Sequence, residues 1–430
     1  MQVISATRER MSQIVAGLDV IDTHDHLRFV GDLGLPMTVT ALFRNTYVAR
    51  CLRVADGSAN GIGTRSELVL GDDLETALEV ARKVRLTSYF RWLMRGLAEL
   101  YDLPGPTFDA AAYERLSVGL TQNYQDASWI PSVLDRARIQ AVIWDPFWKP
   151  GTWDGPDPRL IPSFRITSSV AAFHPDASDY EGCNLIRDWA DALQISVNGL
   201  GDLESLIERV LGLNLDAGAR SIKSAVAYER PLRVGPPRRQ QAAALFGKSP
   251  QRITEDERLV FGDYVIHVFM DLARQHNLVV QVHTGLARLA DSNPMEMLPL
   301  IEAYPEVTFD LFHGGYPWIH EVGAIAQNYP NVRLNLAWLP QLSTEAAVVA
   351  LKEWLQVTPQ QNRISWGADC WTVEEMYGAQ LAARYVVGRA LAELLDEGYL
   401  DPEGAVIAAK SVLSGAGGAI YGVGTGLGAG

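Results

Sequence analysis

Asp19-Val20-Ile21-Asp22-Thr23-His24-Asp25-His26-Leu27 is the stretch on which the reading of this chain turns. It is a short apolar run that closes on two histidines one residue apart. In a strand, side chains at i and i+2 leave the same face. His24 and His26 would therefore project together from the end of the strand, as two imidazoles must to share one metal ion. Taken alone, the pair reads as readily as two partly exposed loop histidines.

Working outward, a short helix over about 5–17 leads into this first strand. The segment 36–135 shows helical periodicity: LETALEVARKVRLTSYFRWLMRGLAELY carries apolar residues at 3–4 spacing with charges between them. It reads as a helical insertion without strand signal. Strand-like runs then alternate with helical stretches. The runs are Ala141–Trp144, Phe164–Phe173, Arg220–Tyr228, Leu278–His283, Val307–His313, Val332–Leu336 and Arg363–Asp369. Repeated β-then-α units imply a parallel sheet. Eight of them predict an α/β fold, a (β/α)8 TIM barrel with a large helical insertion after strand one, whose chemistry sits at the C-terminal strand ends. No GxGxxG supports a Rossmann alternative. The expected organisation is 1–35 for the first helix and strand, 36–135 for the insertion, 136–421 for the rest of the barrel and 422–430 for a flexible Gly-rich tail.

Composition bounds the function. The chain has 430 residues, 48% hydrophobic and 20% charged, as a large folded core requires. A net charge of −14 argues against nucleic acid or an anionic membrane as partner. The expected partner is a small-molecule substrate. The insertion could form a homo-oligomer interface. Cys51, Cys183 and Cys370 are far apart and form no CxxC, which predicts neither disulfides nor a zinc finger. With no signal-peptide run and no span of about 20 apolar residues, the expectation is a cytoplasmic protein.

The polar residues at the predicted strand ends then line up. His24 and His26 end strand one, His283 strand five, His313 strand six and Asp369 strand eight. The chain holds eight histidines, and the other four, His174, His267, His276 and His320, read as loop or helix residues. Asp369 also reads as the N-cap of the helix that follows. His313 precedes Gly314-Gly315, which suits a tight turn, and His283 could be a core histidine. Aromatics crowd the same rim: Trp144, Phe147, Trp148, Tyr316, Trp318, Trp338 and Trp371. They suggest a pocket with apolar walls for a flat substrate, although tryptophan is mostly buried in any fold. Arg28, Tyr228 and Arg230 are candidates for holding a substrate carboxylate.

This ordered His-x-His, His, His, Asp set resembles the amidohydrolase superfamily of metal-dependent barrels. Within it the pattern is most similar to the branch that contains uronate isomerase and single-metal hydrolases and decarboxylases. IDTHDHL, IKSAVAY, FHGGYPW and WGAD are also similar to the amidohydrolase-like half of certain glutamine-synthetase fusion proteins. The resemblance implies His24, His26, His283 and Asp369 as ligands of one Zn²⁺, or of Mn²⁺ or Fe²⁺, with an open position for water. It implies Asp369 as proton acceptor and His313 as the group that polarises the substrate carbonyl. In two-metal relatives a carboxylated lysine at the end of strand four bridges the ions. Lys223 here reads as mid-strand, a barrel-interior or substrate-facing cation. The expected activity is hydrolysis of a C–N, amide-type bond. The alternatives are decarboxylation of an aromatic acid, sugar-acid isomerisation, or a barrel that binds a ligand without catalysis. Cys370-Trp371-Thr372 lacks the arginine expected near a uronate, which counts against isomerisation.

Overall fold

The structure, a computed structural model, describes residues 6–33, 36–57, 68–148 and 155–424. Eight strands form one sheet in chain order: β1 (Val20–Asp25), β2 (Ile139–Trp144), β3 (Leu160–Arg165), β4 (Ser221–Ser224), β5 (Val279–Val282), β6 (Thr308–Leu311), β7 (Val332–Asn335) and β8 (Ile364–Ser365). The pairings from β1 to β2 and from β3 through β7 are parallel. This is the (β/α)8 topology. The strands are short and mostly buried, as helices covering a parallel sheet require.

Several strands end earlier than their sequence suggests, β8 among them, which stops at Ser365 where the run reads on to Asp369. The run Phe164–Phe173 contributes only its first residues to β3, and the chain turns into a helix at Thr167–Val170. The run Arg220–Tyr228 leaves the sheet after Ser224 and coils into a 3₁₀ turn at Val226–Tyr228. Both tails are apolar and buried, so hydropathy alone could not separate them from strand. The second correction moves Lys223 from mid-strand to the penultimate residue of β4.

The chain divides into two compact parts, Met1–Trp144 with Pro156–Leu160 and Leu336–Gly430, and Asp145–Gly155 with Ile161–Asn335. In the first part, β1 is bonded on one side to β2. There Asp22 faces Val142 and Asp25 faces Trp144, so β1 carries one extra residue and bulges just where the histidines begin. On its other side β1 is zipped to β8 and the segment after it. Thr23 N–H donates to Trp366 O (3.1 Å), Asp369 N–H to His24 O (2.8 Å) and His26 N–H to Cys370 O (3.0 Å).

Between β1 and β2 the described residues form helices and no strand, among them Val48–Ala55, Leu74–Val84, Ser88–Leu100, Ala110–Asn123 and Trp129–Ala137. Asp73, Thr87 and Asp109 start three of these by accepting the backbone N–H three residues on. The helices anchor on the long helix Val373–Asp396. Its buried Glu374 accepts from Tyr101 Oη (2.8 Å), Tyr124 Oη (2.7 Å) and Trp129 Nε1 (3.1 Å). Arg384 of the same helix donates to the carbonyls of Val15, Leu18 and Ala137, the last two at 2.9 and 3.1 Å, which satisfies the exposed ends of two other helices.

Contrary to the sequence expectation, one stretch, Pro402–Tyr421, is long and apolar enough to cross a membrane by length and composition. Here its apolar surface packs on β1, with Gly417 against Ile21 and Thr23. The proposed tail lies outside the described residues from 425 onward.

In the second part, β3 through β7 pair in register, with Arg165 opposite Lys223, Lys223 opposite Gln281 and Gln281 opposite Asp310. Buried polar side chains bond one another between strands. Ser221 and Ser163 meet at 2.9 Å, and Asn335 Nδ2 donates to Asp310 (2.9 Å). Helix Glu255–His276 opens with a capping box between Thr254 and Glu257. His267 on it bonds Tyr304 Oη and Gly235 O through its two ring nitrogens, a structural histidine as expected.

The helices Ser88–Leu100 and Val373–Asp396 touch backbone to backbone at Gly96 and Gly378. A Cβ on Gly378 would lie 2.6 Å from Trp92 O. Gly378→Ala should therefore destabilise the fold by about 1–3 kcal/mol, read as a lowered midpoint in denaturant unfolding. An unchanged midpoint would show that the helices can separate at no cost.

Candidate metal centre

β1 delivers His24 and His26 to its C-terminal end, both buried, with ring centroids 4.7 Å apart and nearly perpendicular. Asp369 arrives from the segment after β8. Its backbone is held in the left-handed region, φ 57°. Its Oδ1 lies 3.5 Å from His24 Nε2 and 3.2 Å from His26 Nε2. One donor atom from each of the three residues falls within 4.8 Å of the others. Two imidazole nitrogens and a carboxylate oxygen, buried together at this spacing, fit one divalent ion. Asp369 is not the cap of the next helix. Thr372 is, accepting from Glu375 N–H.

Two further carboxylates, absent from the sequence-based candidates, hold this arrangement. Asp22 Oδ1 accepts from His24 N–H (3.1 Å) and Ala368 N–H (2.9 Å). Asp25 Oδ1 accepts from His26 N–H (2.7 Å) and Cys370 N–H (2.8 Å). Each acid thus bonds the amide of a metal-facing histidine and an amide flanking Asp369. Burial raises both carboxyls, Asp22 to about 7 and Asp25 well above the usual carboxyl range. The backbone amides pull in the opposite direction. The alternating polarity of Ile21-Asp22-Thr23-His24-Asp25 is the sequence signal for these acids.

The aromatic rim residues of the first part take different positions. Trp371 is half-buried and stacks on His26 at 5.0 Å, with the Arg28 guanidinium 4.5 Å from its ring centroid. Trp144 is buried, and its indole N–H donates to Leu27 O (2.8 Å). Trp338 is buried against Tyr47 (4.9 Å) and Tyr89 (6.0 Å). Glu375 accepts Tyr47 N–H (2.6 Å) and Trp371 N–H (3.3 Å), and burial lifts its carboxyl to about 8.

In the second part, His283 follows β5 and His313 follows β6 by two residues. His313 Nε2 and His283 Nδ1 are 2.8 Å apart, and His283 Nε2 lies 3.2 Å from Leu286 O. A carbonyl can only accept, so His283 carries its proton on Nε2 and its Nδ1 accepts from His313. Both ring nitrogens are then engaged. Burial, followed by the neighbouring His313 and Lys223, holds His283 well below the usual imidazole range and hence neutral. His313 does begin a left-handed turn (φ 64°), continued by Gly314 and Gly315. Gly285 packs against that turn, where a Cβ would lie 2.3 Å from Tyr316 O. Tyr316 and Trp318 continue the turn and are half-buried. Lys223 is 1% exposed, with Nζ 3.8 Å from the Phe312 ring centroid.

Tyr228 stacks on Tyr180 (4.7 Å) and lies tilted against His283 (4.5 Å). Arg230 is buried, bonded to Asp263, and donates to the carbonyls of Leu259 (3.2 Å) and Arg233 (2.9 Å). The prominent arginine of this part is Arg165 at the end of β3. It is bonded to Asp145 (2.8 Å), Glu181 (3.3 Å) and Tyr180 Oη (3.0 Å). The overlong strand predicted over 164–173 hid its place at a strand end.

Residues 241–396 match the amidohydrolase family. Among curated proteins, protein fluG of Emericella nidulans is 32% identical over 173 residues, which cover 36% of this chain and 20% of that protein. The match thus spans about a fifth of the relative's length. The fold is similar to that of uronate isomerase from Thermotoga maritima (TM-score 0.77, 14% identity, 97% of this chain and 98% of that one). It is also similar to glucuronate isomerase from Caulobacter crescentus (TM-score 0.74, 17% identity, 97% and 94%).

Two predictions follow from this geometry. A Cβ on Gly367 would lie 2.7 Å from His24 N. Gly367→Ala should force β1 and the Asp369 segment apart and lower metal content below that of the parent, measured by elemental analysis; equal content would sink the claim. The second concerns Glu229, in the second part. Burial, then the charges of Asp179 and Glu181, raises its carboxyl to about 8, against Tyr180 N–H and Arg258. A raised carboxyl stabilises the fold while protonated. Its contribution is complete below about 4.5 and is lost as pH rises through about 8. The unfolding midpoint should therefore fall less steeply over that window in Glu229→Gln than in the parent. Parallel slopes would refute it.

Proposed function

We propose that this chain, whose residues 241–396 match the amidohydrolase family, is a metal-dependent hydrolase of that superfamily that breaks a C–N, amide-type bond of a small substrate. The observation that carries this is the cluster of His24, His26 and Asp369, three donors within 4.8 Å of one another. These residues would hold one ion. Zn²⁺ suits two imidazoles and a carboxylate, and Mn²⁺ or Fe²⁺ accept the same set. When bound, the ion supplies Lewis acidity and a water of lowered pKa.

The rest of the chemistry belongs to the side chains. Asp369 accepts the proton of the attacking water and returns it to the leaving nitrogen, which departs as an amine. Asp22 and Asp25 keep His24, His26 and Asp369 in register through their backbone amides. Trp371, stacked on His26, forms an apolar wall that limits water to the reacting position. Lys223 and the His283–His313 pair are proposed as groups that handle substrate charge and protons at the strand ends of the second part.

The purified protein should contain about one equivalent of divalent metal, lost in the His24→Ala/His26→Ala variant. Asp369→Asn should lower kcat by about 10²–10⁴-fold while circular dichroism stays unchanged. A screen of amides should show amine release with uptake of one water. Release of CO₂ without water uptake would point to a decarboxylase instead, and interconversion of sugar acids to an isomerase. A metal-free protein after reconstitution would overturn the reading altogether.

A further inference from the structure

We propose that Arg50 and Tyr89, carried by the helices between β1 and β2, form a carboxylate-binding subsite next to His26 and Asp369, so that the substrate is an acid on a flat apolar body. This rests on the hydrolase reading for what happens to the bound molecule, but not for the binding itself.

The first observation is an orphaned donor. The Tyr89 hydroxyl is buried and makes no hydrogen bond among the described residues, in a residue only 7% exposed. A buried polar group without a partner is costly, and a ligand oxygen would satisfy it. The second is a cation without a counter-ion. Arg50 is half-buried, and among the described residues it makes no ion pair or hydrogen bond. Its guanidinium lies 5.2 Å from the centroid of the Trp338 ring. Arginine in such a place is normally matched by a carboxylate. The nearby Glu375 makes no ion pair with it among the described residues; its two oxygens accept the amides of Tyr47 and Trp371.

The third observation is the path to the metal-facing residues. Tyr47 stacks on Tyr89 (5.4 Å). Its N–H meets Glu375, which also takes the N–H of Trp371, the ring stacked on His26. Trp338 N–H donates to Gly367 O (3.2 Å), two residues before Asp369. Tyr89 also lies within electrostatic reach of Arg50, Glu375 and Asp369 alike. The stacked rings of Tyr47, Tyr89 and Trp338 provide the flat wall. One planar guanidinium and one hydroxyl match the two oxygens of a single carboxylate.

The test compares benzoate with benzamide, nearly isosteric and differing in charge, by isothermal titration calorimetry on the full chain. Both are titrated into protein as purified and after chelation, with metal content measured on the same samples. The parent should bind benzoate at least about tenfold more tightly than benzamide, before and after chelation. Arg50→Gln should bring the two within about threefold, and Arg50→Lys should fall between. Tyr89→Phe should weaken benzoate by about 3–10-fold and leave benzamide unchanged. Should Arg50→Gln fail to fold by circular dichroism, Arg50→Lys and Tyr89→Phe decide. Equal binding of the two probes by the parent overturns the proposal. So does a preference that survives in Arg50→Gln, or one that disappears on chelation, which would assign it to the ion. A metal-free protein that still shows the Arg50-dependent preference would leave the subsite standing and remove the hydrolase reading.

Discussion

Two buried acids, Asp22 and Asp25, are the constraint on which the candidate metal centre depends. Burying a carboxylate is unfavourable unless it is bonded. Each of these is bonded twice, and each time the two amides come from opposite sides of one seam. One belongs to a histidine of β1 and the other to the segment around Asp369. The cost of burial is thereby converted into alignment. Gly367 permits it, because any side chain there would meet the His24 backbone. The backbone bonds along the same seam, from Thr23 to Trp366 and from Asp369 to His24, complete the register.

The same economy runs through the first part of the chain. Glu374 and Glu375 are adjacent, both buried, and point to different tasks. Glu374 gathers Tyr101, Tyr124 and Trp129 and so fastens the intervening helices to Val373–Asp396. Glu375 takes the amides of Tyr47 and Trp371 and so ties the start of helix Val48–Ala55 to the residue stacked on His26. Helices that read as a mere insertion therefore supply aromatic and cationic side chains next to the site. In the second part, neutrality is the theme. His283 is kept uncharged by burial and by His313, while Lys223 rests on the Phe312 ring.

A (β/α)8 barrel hosts many reactions, and the fold alone chooses none of them. What narrows the choice is the chemistry of the groups at the strand ends. Two imidazoles and a carboxylate suit a divalent ion, and the proposed subsite, an aromatic wall with an unmatched arginine, suits an acid on a flat body.

The sequence by itself determined the topology and set His24 and His26 on β1 and Asp369 after β8 as candidate ligands. Hydrophobic periodicity is a local property, and a histidine pair or an aspartate at the end of an apolar run is visible without knowing its neighbours. The tertiary structure decided the remainder. His283 was legible as a strand-end histidine, but its engagement by His313 and Leu286 depends on residues brought together by folding. Lys223 moved to the strand end because β4 stops at Ser224, a boundary that buried apolar residues do not mark. Arg230 was spent on Asp263, whereas Arg50 was left unmatched, and no local pattern distinguishes the two. Whether a charge is paired is decided by what lies across from it in space, and that relation is written only in the folded chain.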